Sequence, residues 1–185
     1  MPKGLKQTSS AIQISSEASA TTDPIATQFF SKRIDLQLNP LDNEVFVVTG
    51  IKIDFDNPLM IPDTAAAGQK TLFQKCSLST TEQTTYAGIS SPSVIGASQI
   101  DSQVQQTGAA FDFYVVHENN AMDAPPASMD YLAIIATNDF FLNLEVSPQY
   151  FAGQTAGVQT RLYGYRAVAD ASTYAALVQS ELLSS

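Results

Sequence analysis

Residues that could do chemistry are few in this chain, and they lie far apart. His117 is the single histidine among 185 residues, and Cys76 is the single cysteine. A zinc site needs three or four His, Cys or carboxylate ligands, and a nucleophilic triad needs a histidine set between a nucleophile and an acid. His117 is followed by Glu118 and then by Asp123, a spacing that builds neither. It reads as a strand-end histidine, and Cys76 reads as a small buried hydrophobe. Asp54, Asp56 and Asn57 place three oxygen-bearing side chains at the end of one segment. The glycine and closing glutamate of an EF-hand loop are missing there. No resident cofactor or metal is expected, with room only for weak calcium binding between subunits. Gly-rich phosphate loops, nucleophile elbows and zinc helices do not occur in the sequence. No two acids stand out as a glycosidase pair. The chain is expected not to be an enzyme, and no catalytic residue is assigned.

Two other features suit contact better than catalysis. The run Arg161-Leu162-Tyr163-Gly164-Tyr165-Arg166 alternates, so Arg161, Tyr163 and Tyr165 share one face of a strand. Tyr and Arg are enriched where interfaces concentrate their energy. A tyrosine-rich outer sheet face with no partner is the plain alternative. Near the start, Ile12 and Ile14 punctuate a polar stretch and would add a short strand to a partner. Candidate interface residues are therefore Arg161, Tyr163, Tyr165, Ile12 and Ile14.

The elements that must position these residues are strands. Residues 45–48 form a continuous apolar run; after Thr49 and Gly50, Ile51, Ile53 and Phe55 alternate with Lys52 and Asp54. Period two with branched and aromatic residues marks a strand with one face in a core, and Gly50 is a natural place for a bulge or a bend. Ile34, Leu36 and Leu38 alternate in an earlier strand, and residues 39–43, Asn-Pro-Leu-Asp-Asn, make a turn. Further strands are expected over residues 72–78, near 93–104, 111–115, 131–136, 140–146 and 158–168. Asn138-Asp139 is expected to close a hairpin between the two strands that flank it. Residues 172–183 have helical spacing, with Ser172 as an N-cap candidate.

Composition bounds the rest. Only 15% of residues are charged against 44% hydrophobic, so the polar surface must come mainly from Ser, Thr, Gln and Asn. Such surfaces pack against neighbours at low desolvation cost. The net charge is −9, with four bases against two acids in residues 1–33 and five against sixteen in 34–185. An acidic body argues against a nucleic-acid groove on the folded domain. One cysteine excludes an internal disulfide framework. No apolar run is long enough for a membrane span, and MPKGLKQTSS lacks the apolar core of a secretory leader. Production in a cytoplasm is the expectation.

The domains expected are an extended or disordered arm over residues 1–28, a β-sandwich over 29–171, and a short helix with a tail over 172–185. The fold class is all-β, a two-sheet antiparallel jelly roll, with an immunoglobulin-like sandwich as the alternative. In layout the chain resembles single jelly-roll coat proteins of icosahedral viruses: a Ser/Thr/Gln arm, about eight strands, long proline-bearing loops and a terminal helix. That resemblance implies a capsid-type virion protein, made in the host cytoplasm, that self-associates and contacts other virion proteins. Lys3 and Lys6 alone do not make the basic arm with which such coats hold a genome, so a shell-building or decorating role is favoured. The competing class is a carbohydrate-binding attachment module, with Tyr86, Tyr150 and Tyr163 as candidate platforms.

Overall fold

The period-two segments become strands. A computed structural model describes residues 4–23, 25–56, 68–107, 110–119, 122–123, 130–148 and 153–183. The strands in chain order are β1 (Leu5–Gln7), β2 (Ile12–Thr21), β3 (Gln28–Asp35), β4 (Glu44–Asp56), β5 (Gly68–Ser79), β6 (Val94–Thr107), β7 (Ala110–Asn119), β8 (Met122–Asp123), β9 (Ala133–Ile135), β10 (Asp139–Val146) and β11 (Thr155–Ala169). One helix, α1 (Ala171–Leu183), follows. In the first sheet β11 is flanked by β4 on one side and by β2 and β1, end to end, on the other; β8 and β9 share the far edge of β4. The second sheet runs β3-β10-β5-β6-β7. All pairings are antiparallel. From β2 to β5, and again from β9 to β11, consecutive strands alternate between the sheets. That wrapping is the jelly roll.

The core lies between the sheets. Ile51, Ile53 and Phe55 of β4 face Leu72, Cys76 and Leu78 of β5 and Phe140, Leu142 and Leu144 of β10 in one cluster. Full burial of each large aliphatic side chain contributes roughly 1.5–3 kcal/mol. Burial pushes the Cys76 thiol far above its usual range, so it acts as an apolar group.

A β-bulge makes the first sheet two-faced. Tyr163 pairs with Gly50 and Gly164 with Val48, so Thr49 is the extra residue, next to the glycine where the pattern changes. Phe46 and Val48 point inward before the bulge; Ile51 and Ile53 do so after it. Gly164 is required at the crossing point, because a Cβ there would sit 2.2 Å from the Val47 carbonyl oxygen. Val45 and Val47 face outward, into a second small core with Leu5, Ala167 and Ala169 that Tyr174, Leu177 and Val178 of α1 cover.

Four expectations change. Within the described part of residues 1–28, expected as an arm, two segments join the chain's own sheet: β2 pairs along β11 from Thr21–Thr155 to Ile12–Gly164, and β1 pairs with residues 167–169. Alternation over residues 12–21 is weak because small residues, Ser16, Ala18 and Ala20, take up its inward face. The strand over 131–136 and that over 140–146 do not form a hairpin. β9 pairs with β4 while β10 pairs with β3 and β5, so the chain crosses between sheets at 136–138. Asn138 ties the crossing down: its carbonyl accepts from Leu36 N–H (2.8 Å) and its side chain from Leu38 N–H (2.6 Å). The strand begun at Ile34 ends at Asp35, because Gln37 takes a left-handed φ of 53°. The α1 N-cap is Asp170, not Ser172: its carboxylate accepts from Thr173 N–H (2.8 Å) and Ser172 Oγ (2.7 Å). The 39–43 turn stands, as a 3-10 turn opened by Asn39.

Candidate functional site

The outer face of the first sheet is covered at one end and bare at the other. Beyond the bulge, β2, β11 and β4 present three rows of side chains outward. The rows are Glu17–Gln159–Asp54, Ser15–Arg161–Lys52 and Gln13–Tyr163–Gly50. Neighbours lie about 4.8 Å apart across strands, and rows lie about 6.7 Å apart along them. Arg161 and Lys52 are directly opposed, an arrangement of like charges that costs stability. Lys52 Nζ lies 3.7 Å from the Asp54 carboxylate. Among the described residues Arg161 has no carboxylate partner. Gln13 donates to Ser15 Oγ (3.2 Å), and Gln159 donates to both carboxylate oxygens of Asp56 (3.1 and 3.2 Å).

Lys32 joins this patch from the other sheet. It sits on the edge strand β3 opposite Leu142, on the inward face, and reaches out to donate to the Glu17 carbonyl (2.8 Å). An inward-pointing lysine on an edge strand also blocks pairing with another chain. Ser15, Glu17, Lys32, Lys52, Asp54 and Arg161 help to line an open groove of about 560 Å³. The remaining cations with described carboxylate partners lie elsewhere or are spent. Arg33, which also lines the groove, is paired with Asp139; Lys75 pairs with Glu145 (3.6 Å) and Arg166 with Glu44 (3.6 Å).

The five interface candidates separate. Arg161 is exposed and Tyr163 half-buried on the bare part of the face. Tyr165 shares their face but packs into the second core beside α1; burial, with Asp130 nearby, raises its phenol above the usual range. Ile12 and Ile14 turn inward and pack against the main core of their own chain. Lys52, Lys32, Ser15 and Gln159 were not singled out from sequence. Alternation alone puts Lys52 outward, but nothing local pairs it with Arg161.

Other sequence candidates stay apart. His117 lies in β7 opposite Asp101, by backbone register. Asp54 and Asp56 share the outer side of β4, while Asn57 lies outside the described residues. Among the described residues no three His, Cys, Asp or Glu side chains come together to hold a metal. Tyr86 covers the outer side of the second sheet, with Lys75 Nζ 5.3 Å from its ring. Burial raises its phenol, with smaller contributions from Cys76 and Glu145. Tyr150 lies outside the described residues. No described helix is long and apolar enough to cross a membrane.

No protein-family model matches the chain, and no curated protein matches it either.

Proposed function

We propose that the chain is a virion structural protein that self-assembles into a capsid shell or decorates one. The observation that supports this reading is the strand order, β2-β11-β4-β9 in one sheet and β3-β10-β5-β6 in the other, a two-sheet wrapping used by viral coat domains among others. It is support by fold analogy. The surface agrees with it. Ile25, Leu41 and Ile89 are 88%, 91% and 79% exposed in the connections β2–β3, β3–β4 and β5–β6. Aliphatic side chains at the ends of a sandwich suit end-to-end packing of copies. Contacts built on them are apolar, so salt, which screens the repulsion of an acidic body, favours assembly. In this reading the protein is made in a host cytoplasm and resides in the virion. It binds weak calcium, if any, between subunits.

Light scattering after size exclusion, with negative-stain imaging, tests the proposal. Trimers or larger assemblies are expected, strengthened by salt and weakened by the double change Ile25→Ser with Leu41→Ser. A monomer at high concentration, across salt and calcium, overturns it. The second reading, a carbohydrate-binding attachment module, is favoured by one observation, the uncovered Tyr163 and Arg161 on the sheet face.

A further inference from the structure

The groove between the bare half of the first sheet and strand β3 of the second concentrates cations on an acidic protein. Lys32, Arg33, Lys52 and Arg161 line one groove, four of the nine Lys and Arg residues of a chain whose net charge is −9. Three are occupied. Arg33 is paired with Asp139, Lys32 is held by the Glu17 carbonyl, and Lys52 leans on Asp54. Among the described residues the guanidinium of Arg161 has no carboxylate partner, and it lies directly across from Lys52. Opposed like charges destabilise a sheet unless something anionic sits between them. At physiological ionic strength fields decay over about 8 Å, so an anion in the groove feels mainly its lining, four cations against the two carboxylates of Glu17 and Asp54, more than the acids elsewhere on the chain.

The other groups in the groove are hydroxyls and an amide. Ser15 and Gln159 line it from the outer face, Thr160 lines it from the inward side with its hydroxyl bonded to Ser16 Oγ (2.7 Å), and Tyr163 lies one row further along the outer face. Hydroxyl and amide groups match the hydroxyls of a sugar, an aromatic ring matches its C–H face, and a guanidinium fork matches sulfate or carboxylate. A long nucleic acid fits less well, since Glu17 and Asp54 interrupt the cationic track. We propose that the outer face of β2, β11 and β4 binds an anionic saccharide, with Arg161 gripping its sulfate or carboxylate, Lys52 assisting, and Tyr163 carrying a sugar ring. The proposal rests on the attachment reading and is independent of the shell reading.

The test is calorimetric titration of the full chain at physiological salt. The probes are a heparin-derived tetrasaccharide, the same tetrasaccharide desulfated and N-acetylated, and a polyphosphate of equal charge. Binding is expected for the sulfated sugar and weaker binding, by about tenfold or more, for the other two. Arg161→Gln and Lys52→Gln should each weaken the sulfated sugar by about tenfold. Tyr163→Ala should weaken the sulfated and desulfated sugars alike. Lys75→Gln, on the other sheet, should leave binding unchanged. Arg161→Gln should also melt no lower than the parent, because it relieves a like-charge pair. Equal binding of polyphosphate, or an equal loss in Lys75→Gln, overturns the proposal as plain charge attraction. Equal binding of sulfated and desulfated sugars overturns the anionic class and leaves the attachment reading standing; binding to neither overturns both. Loss of self-association in Arg161→Gln with saccharide binding intact overturns it as a contact between copies.

Discussion

One half of the outer face on β4 and β11 is apolar and covered; the other half is charged and bare, although the same two strands build both. At the covered end Val45, Val47, Ala167 and Ala169 meet α1, and at the bare end Lys52, Asp54, Gln159 and Arg161 meet solvent. The bulge at Thr49 separates them. Where both faces of β4 are buried its sequence runs continuously apolar, over residues 45–48. Where one face is bare it alternates, from Ile51 to Phe55. The change of texture in the sequence is thus a readout of where α1 lies. The bare half can carry opposed like charges because no described neighbour packs on it.

The largest effect that would break this comparison is reversal of the faces. Ile53→Asp and Leu142→Asp each bury an unpaired charge at a side chain that is almost wholly enclosed. The cost is several kcal/mol, on the order of the whole stability, so soluble expression should be lost. Lys52→Asp lies on the opposite, exposed face of β4 and should express normally. Equal solubility of all three would show the inward and outward faces of β4 to be reversed.

A smaller effect concerns what holds α1 on the covered half. The Glu181 carboxylate accepts from the backbone N–H groups of Ala136 and Thr137 at 2.8 and 2.9 Å. Glu181→Ala leaves both donors without that acceptor, a loss of about 1–3 kcal/mol, seen as a melting point lowered by several degrees. Burial raises the Glu181 pKa, against the lowering effect of the two N–H groups. The folded state therefore holds this proton more tightly than the unfolded chain. Its contribution to stability is fullest below the ordinary glutamate value of 4.5 and declines as pH rises through the raised value. Glu181→Gln should flatten that decline in melts taken across pH. An unchanged slope would mean that the Glu181 proton is not linked to folding.

The smallest effect has the opposite sign on the same helix. Asp170, the N-cap, is fully exposed, and its bonds from Ser172 and Thr173 lower its pKa. Its contribution is present above the ordinary aspartate value of 3.8 and is lost as pH falls through the lowered one. Asp170→Ala should lower the melting point slightly at neutral pH and not at all once the parent carboxyl is protonated. A difference that persists in acid would assign the effect to packing against Gly4, whose added Cβ would lie 2.5 Å from Asp170 Oδ2.

The all-β class, the two-sheet sandwich, the positions of most strands and the inward face of β4 were legible in the sequence. Each rests on local alternation, which reports whether one or both sides of a strand are buried. The bulge beside Gly50 and the turn at Asn39 were legible for the same reason, since glycine, proline and asparagine act on their own backbone. What the sequence left open was pairing. Whether residues 12–21 join a partner or the chain's own last strand depends on β11, more than a hundred residues away. Whether β9 and β10 form a hairpin or separate into two sheets depends on β4 and β5, not on the turn between them. Asn143 alternates outward like a surface residue, yet it is buried by bonds from Ser31 Oγ (2.8 Å) and to Ser79 Oγ (2.9 Å) on the neighbouring strands. The candidate site has the same origin: alternation points Arg161 and Lys52 outward, and only the antiparallel register of β4 and β11 sets one charge against the other.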